Sequence, residues 1–366
     1  MPEKRVVIGM SGGVDSAVAA LLLKEQGYEV IGFFMRNWRE EDECGRCTAD
    51  EDYQDVRRIA DKLKIDYYAE DLSEDYYDRV FKHFVEKYQK GRTPNPDVLC
   101  NREIKFEAFA SFSRTVGADY VATGHYADVL HGERHRLLRA RDDNKDQTYF
   151  LNQVTEEQIS RAIFPLGDLE KGKVREIAHK AGLPVWEKKD STGICFIGER
   201  NFRKFLSEYI PMKHGEIVTT DGKVVGEHEG VFYYTIGQRK GLGVGGGGNG
   251  EPWFVVDKDV KTNRLIVTQG ETELLFSSAL ETPSFHFISD QLSDGRHQVL
   301  ARIRHRQPLQ KATAIVEGQK IKVEFEVPQR AVAEGQYCVL YQDRVCLGGG
   351  VIERKYPVSG KGEING

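Results

Sequence analysis

Three short stretches of this 366-residue chain carry residue types that do chemistry. The first is Gly9-Met10-Ser11-Gly12-Gly13-Val14-Asp15-Ser16, between the apolar runs Val6-Val7-Ile8 and Ala17 to Leu23. A glycine-rich turn from a buried strand into a buried helix lets backbone approach a ligand with no Cβ in the way. The unpaired N–H groups at the helix start and the helix dipole both favour an anion, and a nucleotide phosphate fits. No G-x-x-x-x-G-K-[ST] is present, so this loop carries no lysine of its own for a γ-phosphate. An ordinary strand-to-helix turn would also use two glycines.

The second stretch is Gly91-Arg92-Thr93-Pro94-Asn95-Pro96-Asp97-Val98-Leu99-Cys100-Asn101. Its two prolines disfavour helix and predict a stiff loop. The loop is expected to end at a helix start, where the dipole would lower the Cys100 thiol pKa and favour a nucleophile. A small buried hydrophobe is the other fate open to Cys100. Asp97, three residues before the thiol, reads as a dipole partner at the helix start. The third stretch, Ser191 to Gly198, sets Cys195 between Ile194 and Phe196, the place of a core cysteine on spacing alone.

The other cysteines are Cys44, Cys47, Cys338 and Cys346. Cys44-Gly45-Arg46-Cys47 could bind zinc or cycle as a dithiol, but a zinc site needs two more ligands and no second C-x-x-C exists. Cys338 and Cys346 read as strand or core residues. No metal is expected.

Composition describes a soluble globular protein, with 40% hydrophobic and 30% charged residues and a net charge of −5. The length suggests two or three domains. No apolar run is long enough to span a membrane. Pro2-Glu3-Lys4-Arg5 leads directly into a strand with no secretory signal, so a cytoplasmic protein is expected. The charge is uneven: 40–78 is acidic, whereas 161–189 and 302–322 are rich in Lys and Arg. A basic face on an acidic total can still meet nucleic acid.

The elements that must position these residues alternate in the first half. Strands are expected at 6–8, 29–35, 66–69 and 119–123, and helices at 17–23, 48–63, 74–89 and 101–117. A capping box, Thr48-Ala49-Asp50-Glu51, opens the second helix. This βαβ alternation predicts a parallel sheet covered on both faces, with ligand at the carboxyl ends of its strands. After about residue 200 short strands dominate, around 216–218, 223–225, 253–256, 312–316, 321–325 and 337–341. A small barrel or sandwich follows. The glycine-rich 245–250 reads as a mobile loop. The expected domains are 1–200, 201–280 and 281–366.

The S-G-G-x-D-S pattern resembles the PP-loop of ATP pyrophosphatases, which cut between the α- and β-phosphates and transfer AMP. Five further motifs follow in order. They are T-P-N-P-D-x-L-C-N, Gly124-His125-Tyr126-Ala127, Lys145-Asp146-Gln147-Thr148-Tyr149, S-T-G-I-C-F-I-G-E-R ending at Arg200, and Tyr234 to Gly243. Together they resemble the bacterial tRNA-specific 2-thiouridylases, from residue 5 to the last barrel strand.

That resemblance implies a Rossmann-like α/β PP-loop domain, a small mostly-β central domain that binds tRNA, and a C-terminal β-barrel. It implies adenylation by ATP, with Mg2+, of the C2 oxygen of wobble uridine 34, and then sulfur transfer from a cysteine persulfide. Cys195 matches the persulfide cysteine, Cys100 its partner in a transient disulfide, and Asp97 an acid/base group. Gly9, Met10, Ser11, Gly12, Gly13, Val14, Asp15, Ser16, Met35 and Gly124 match nucleotide contacts. Without the resemblance, Met35 reads equally well as core. Asn95, Pro96 and Asp97 match the segment that meets the target base, which must leave its stack. His125, Lys145, Asp146, Gln147, Arg304, His305 and Gln336 match tRNA contacts. Where the family commonly has tyrosine after the arginine, this chain has His305, so that contact is expected to be weaker or pH-dependent. The implied partners are tRNAs for Lys, Glu and Gln and a sulfur donor, either a cysteine desulfurase or a persulfide relay protein. No membrane is implied, and a monomer is expected.

Two other readings use parts of the same sequence. A PP-loop amide-forming ligase would adenylate likewise, but needs an ammonia source and leaves both cysteines idle. A non-catalytic RNA-binding protein would not need Asp15, Ser16, Cys100 and Cys195 together.

Overall fold

The computed structural model describes residues 4–39, 48–190, 202–245 and 250–358. Its first sheet is parallel, in the order β3-β2-β1-β4-β7. These strands are β1 (Arg5–Gly9), β2 (Glu29–Arg36), β3 (Asp66–Asp71), β4 (Tyr120–Ala122) and β7 (Ala162–Ile163). β5 (Ala127–Leu130) and β6 (Arg136–Arg139) form a hairpin outside it.

β1 is apolar on both faces because both are covered. Val6 and Ile8 pack with Val18, Leu23, Ile59 and Val174 from the helices Val14–Glu25, Thr48–Leu63 and Lys171–Lys180. Val7 points the other way, into a cluster with Phe33, Phe109 and Val121. This is the near-continuous hydrophobic strand of a buried parallel sheet. The chain runs from β1 to β2 and β3 on one side, then returns to β4 on the other. The carboxyl ends of β1 and β4 therefore flank a topological switch point, where such sheets bind ligands.

The central sheet holds β8 (Gly215–Thr219), β9 (Val224–His228), β10 (Trp253–Asp259) and β11 (Arg264–Gln269), in the order β10-β11-β8-β9. Phe254 and Val256 form a small apolar cluster with Leu275 on one side of it. Val255 and Leu265 share one apolar cluster with Phe81, Phe84, Tyr88 and Cys100 of the first domain.

The C-terminal strands are β12 (Phe276–Thr282), β13 (Phe285–Phe287), β14 (Gly295–Arg302), β15 (Gln310–Glu317), β16 (Lys320–Arg330), β17 (Tyr337–Gln342), β18 (Val345–Val351) and β19 (Arg354–Pro357). The β5–β6 hairpin joins this same sheet through Val345 opposite Leu138. The first domain thus contributes strands to the last one. Cys338 and Cys346 are fully buried in these strands, and burial pushes the Cys338 thiol up to about 12.

The helix expected from Asn101 differs in its start. It begins at Pro96, continues as a π-helix over Cys100–Phe106, and ends as an α-helix over Glu107–Thr115. Proline fits at the first helical position because that N–H has no intrahelical partner. Pro96 therefore starts the helix it was expected to forbid. No helix among the described residues is long and apolar enough to cross a membrane.

Candidate active site

The Ser11–Ser16 loop leaves β1 and enters the helix Val14–Glu25 at the switch point. Gly13 is the N-cap and provides no side-chain hydrogen bond, so the first helical N–H groups are not capped from within. Such groups are available to an anion. The Ser16 hydroxyl braces the turn, accepting from Ser11 N–H and donating to the Gly13 carbonyl, each at 3.2 Å. Gly12 has φ +72°, and a Cβ there would lie 2.6 Å from the Asp52 carbonyl oxygen. Gly124 follows β4, and a Cβ on it would lie 2.8 Å from Ser16 N. Two glycines are thus required by close approach, one inside the loop and one across the crevice from it.

Spacing alone missed the lysines of this site. Lys171 opens the helix Lys171–Lys180, and its Nζ reaches both Asp15 carboxylate oxygens at 2.7 and 2.8 Å. The same ammonium pairs with Asp190 at 2.8 Å. Lys188 donates to the Gly12 carbonyl at 3.2 Å and pairs with Asp52 and Asp55 at 2.7 and 2.6 Å. The loop has no lysine of its own, but folding brings two to it from 156 and 176 residues away. No local pattern signals this. The basic run 161–189 was the one available hint.

Asp190 also takes Lys145 at 2.8 Å and Arg175 at 2.6 Å. Burial opposes its charge, but hydrogen bonds from Lys145 and Lys171 outweigh it and hold the carboxyl at about 2. Tyr126 is buried, with its hydroxyl donating to Asp15 at 2.9 Å. Met10 is buried under β2, where a Cβ on Gly32 would lie 2.5 Å from its sulfur.

The cysteine-bearing helix meets this edge from the side. Met35, near the end of β2, packs against the apolar cluster that contains Cys100. Cys100 is 1% exposed. Asn95 caps the helix, its side chain accepting from Asp97 N–H at 3.2 Å. The Cys100 N–H instead bonds back to the Asp97 and Pro96 carbonyls. Cys100 therefore sits one turn inside the helix rather than at the helix start where it was expected, past the first-turn N–H groups at which a helix dipole acts most strongly. Asp97 occupies that N-terminal turn. Burial lifts its carboxyl to about 6 against the opposing field of Lys105, so it can both take and give a proton near neutrality.

His125 lies beyond β4, with Nδ1 2.8 Å from the Thr123 hydroxyl. Burial, aided by Lys105, pushes it down to about 3, so the ring is neutral. Lys105 thus acts on Asp97 and His125 alike, which brings the two expected site residues into one neighbourhood.

The expected RNA contacts divide. Gln147 exchanges two hydrogen bonds of 2.9 Å with the Tyr126 backbone, and Lys145 is held on Asp190. Asp146 departs from expectation: its carboxylate is fully enclosed, paired with the buried Arg302 at 2.8 Å and bonded by the Thr148 hydroxyl. It has no face left for RNA. Its carbonyl lies 3.1 Å from His305 Nε2, and the His305 ring packs on Phe150 at 4.3 Å. Burial pushes the His305 imidazole below its ordinary value. Arg304 donates to the Ala331 carbonyl at 2.7 Å. Gln336 donates to the Thr93 carbonyl at 2.8 Å, and Arg92 pairs with Glu353, so the barrel braces the loop before Asn95. Cys195, Cys44 and Cys47 lie outside the described residues, as does most of the glycine-rich 245–250.

Among the described residues no group of three or more His, Cys, Asp or Glu side chains could hold a metal ion. The acidic groups at the loop are instead engaged by Lys171 and Lys188.

Residues 4–199 match the tRNA methyl transferase HUP domain family, residues 203–269 the PRC-barrel domain and residues 277–352 the aminomethyltransferase beta-barrel domain. A tRNA-specific 2-thiouridylase of Streptococcus thermophilus is 55% identical over 97% of this chain and 96% of its own. One from Alkaliphilus oremlandii is 55% identical over 96% of this chain and 98% of its own. With the loop, both glycine approaches and the Asp97–Cys100 turn in place, the chain belongs to the tRNA-specific 2-thiouridylase family.

Proposed function

We propose that this protein uses ATP to replace the C2 oxygen of wobble uridine 34 in tRNA with sulfur. The uncapped helix start behind Gly13 receives the phosphates, and Lys171 and Lys188 supply positive charge beside them. The uridine O2 attacks the α-phosphorus, the α–β bridge breaks, and pyrophosphate leaves. The resulting C2–O–AMP bond has a good leaving group where a carbonyl oxygen had none. The terminal sulfur of a persulfide on Cys195 then attacks C2, and AMP departs with the former O2. Cys100 attacks the Cys195 sulfur, breaking the persulfide bond and leaving a Cys100–Cys195 disulfide that an external thiol reduces. Asp97 serves the proton transfers, and Asn95 to Asp97 line the place of the flipped base.

The observation that carries this reading is the packing of Met35 on the cluster holding Cys100. Sharing one apolar cluster with the end of β2 supports a nucleotide site within reach of a thiol that a plain ligase would not need. Methyl transfer, the word in the description of the matched domains, gives neither the loop nor the thiols a task. The central domain and barrel, with Lys145, Gln147, Arg304, His305 and Gln336, carry or brace the tRNA face. Mg2+ enters with ATP. The tRNAs for Lys, Glu and Gln are the substrates, a cysteine desulfurase or persulfide relay protein is the donor, and the enzyme acts as a cytoplasmic monomer.

Cys195→Ser tests the reading in a purified system with ATP, tRNA and a persulfide donor. The variant is expected to bind tRNA as the parent does and to form no 2-thiouridine. Thiolation at the parent rate would remove the persulfide role.

A further inference from the structure

Tyr126 has no role in the reaction above, yet it touches the nucleotide loop and the 145–147 segment at once. Its side chain is 2% exposed. Its hydroxyl donates to Asp15 Oδ1 at 2.9 Å. Its N–H donates to Gln147 Oε1, and its carbonyl accepts the Gln147 N–H, both at 2.9 Å. The Gln147 side chain and backbone are therefore both committed to one residue, and that residue's far end holds Asp15. The preceding residue of the segment, Asp146, carries His305 on its carbonyl and Arg302 on its carboxylate.

Among the described residues the Asp15 carboxylate has two partners of different kind. Lys171 is a charged one that also belongs to Asp190. Tyr126 is neutral and fixed by packing and by the Gln147 pair. When phosphates draw on Lys171, the phenol is the partner that stays. A hydrogen bond from a neutral donor to a carboxylate fixes direction without neutralising charge.

We propose that Tyr126 is a positioning residue that ties the 145–147 segment to the Asp15 carboxylate, so that seating RNA on that segment preorganises the nucleotide loop. The proposal rests on the reading of 145–147 as an RNA-facing segment. RNA held against Lys145 and Gln147 restricts the Tyr126 backbone, and the phenol transmits that restriction to Asp15. A second ligand then meets a site already ordered, which is positive coupling without a new contact. By linkage, ATP must tighten RNA binding by the same factor.

The test uses the full chain, tRNA, and an ATP analogue with a methylene bridge between the α- and β-phosphorus. Its affinity is measured with and without saturating tRNA, for the parent and for Tyr126→Phe. Phenylalanine keeps the buried ring and removes only the hydroxyl. The parent is expected to bind the analogue about fivefold or more tightly with tRNA present. The variant is expected to bind both ligands with a ratio under about twofold. A merely structural role would weaken binding and lower the melting temperature while leaving the ratio intact, and that outcome overturns the proposal. So does a parent with no coupling at all. Failure of the parent to bind tRNA would instead sink the functional reading. If Tyr126→Phe fails to fold, Gln147→Ala removes the side-chain half of the same link and leaves the backbone hydrogen bond, so the ratio is expected to fall, and a ratio at the parent value there overturns the proposal.

Discussion

The Lys171 ammonium meets both carboxylate oxygens of Asp15, at 2.7 and 2.8 Å, at the mouth of the glycine loop. The side chain that replaces the missing loop lysine comes from the start of a distant helix. Lys171→Met keeps the length and apolar stem but removes the charge. It should raise the KM for ATP by about tenfold or more, since hydrogen bonds to charged groups contribute roughly 1.5–3 kcal/mol. The check is tRNA-dependent pyrophosphate release across ATP concentrations. An unchanged KM would remove Lys171 from the phosphate site.

Gly124 offers a test of the crevice geometry that involves no charge. A Cβ at this position would stand 2.8 Å from Ser16 N and 3.0 Å from Asp15 C, both backbone atoms that cannot swing aside. Gly124→Ala should therefore displace the loop, weakening nucleotide binding strongly and costing about 1–3 kcal/mol of stability through overpacking. Calorimetric titration with an ATP analogue, beside thermal unfolding, reads both. Parent-like affinity in the alanine variant would mean that β4 does not wall the site.

Asp97 predicts a pH dependence with a definite sign. Burial lifts its carboxyl from 3.8 to about 6. Between those values the native protein holds a proton that the unfolded chain has lost. Stability therefore falls as pH rises through that window, and the cost is complete above it. Asp97→Asn removes the cost and should stabilise the protein at pH 8 by on the order of 2 kcal/mol, with little gain at pH 4. The same variant should lose about 100-fold or more in thiolation, as general acid–base groups do. Denaturant unfolding at the two pH values checks the first claim. Equal stabilisation at both would show that the carboxyl titrates normally.

Asp146 separates bracing from RNA contact. Its pair with Arg302 is fully enclosed, and breaking one side leaves a buried charge. Asp146→Ala should cost about 3–5 kcal/mol and lower the melting temperature. Lys145→Ala should instead weaken tRNA binding in a salt-dependent way with a smaller loss of stability, because Lys171 and Arg175 still pair with Asp190. If Asp146→Ala folds with the parent's stability and loses only RNA affinity, the enclosed pair is not what holds the barrel to the first domain.

Much of the architecture could be read along the chain. Val6-Val7-Ile8 and its loop predicted a buried parallel strand and a phosphate turn, because a strand apolar on both faces and a run of small residues are local signals. The short strands after residue 200 announced a β-rich second half. What could not be read depends on pairs far apart in sequence. Lys171 on Asp15, Lys188 on Gly12 and the 127–139 hairpin within the barrel sheet are tertiary facts with no local period. Pro96 misled for a physical reason, since proline breaks a helix interior but suits its first residue. Cys100 then falls inside the helix, and its setting among Phe84, Tyr88 and Ile104 comes from packing rather than from the dipole.

The central claim is that this chain places sulfur at C2 of the wobble uridine. Nucleoside analysis of bulk tRNA from cells lacking this gene, and from the same cells complemented with the parent or with Cys195→Ser, tests it most directly. The account predicts loss of 2-thiouridine derivatives on deletion, recovery with the parent, and no recovery with the serine variant. Full 2-thiouridine in the deletion strain, or recovery with the serine variant, would contradict it.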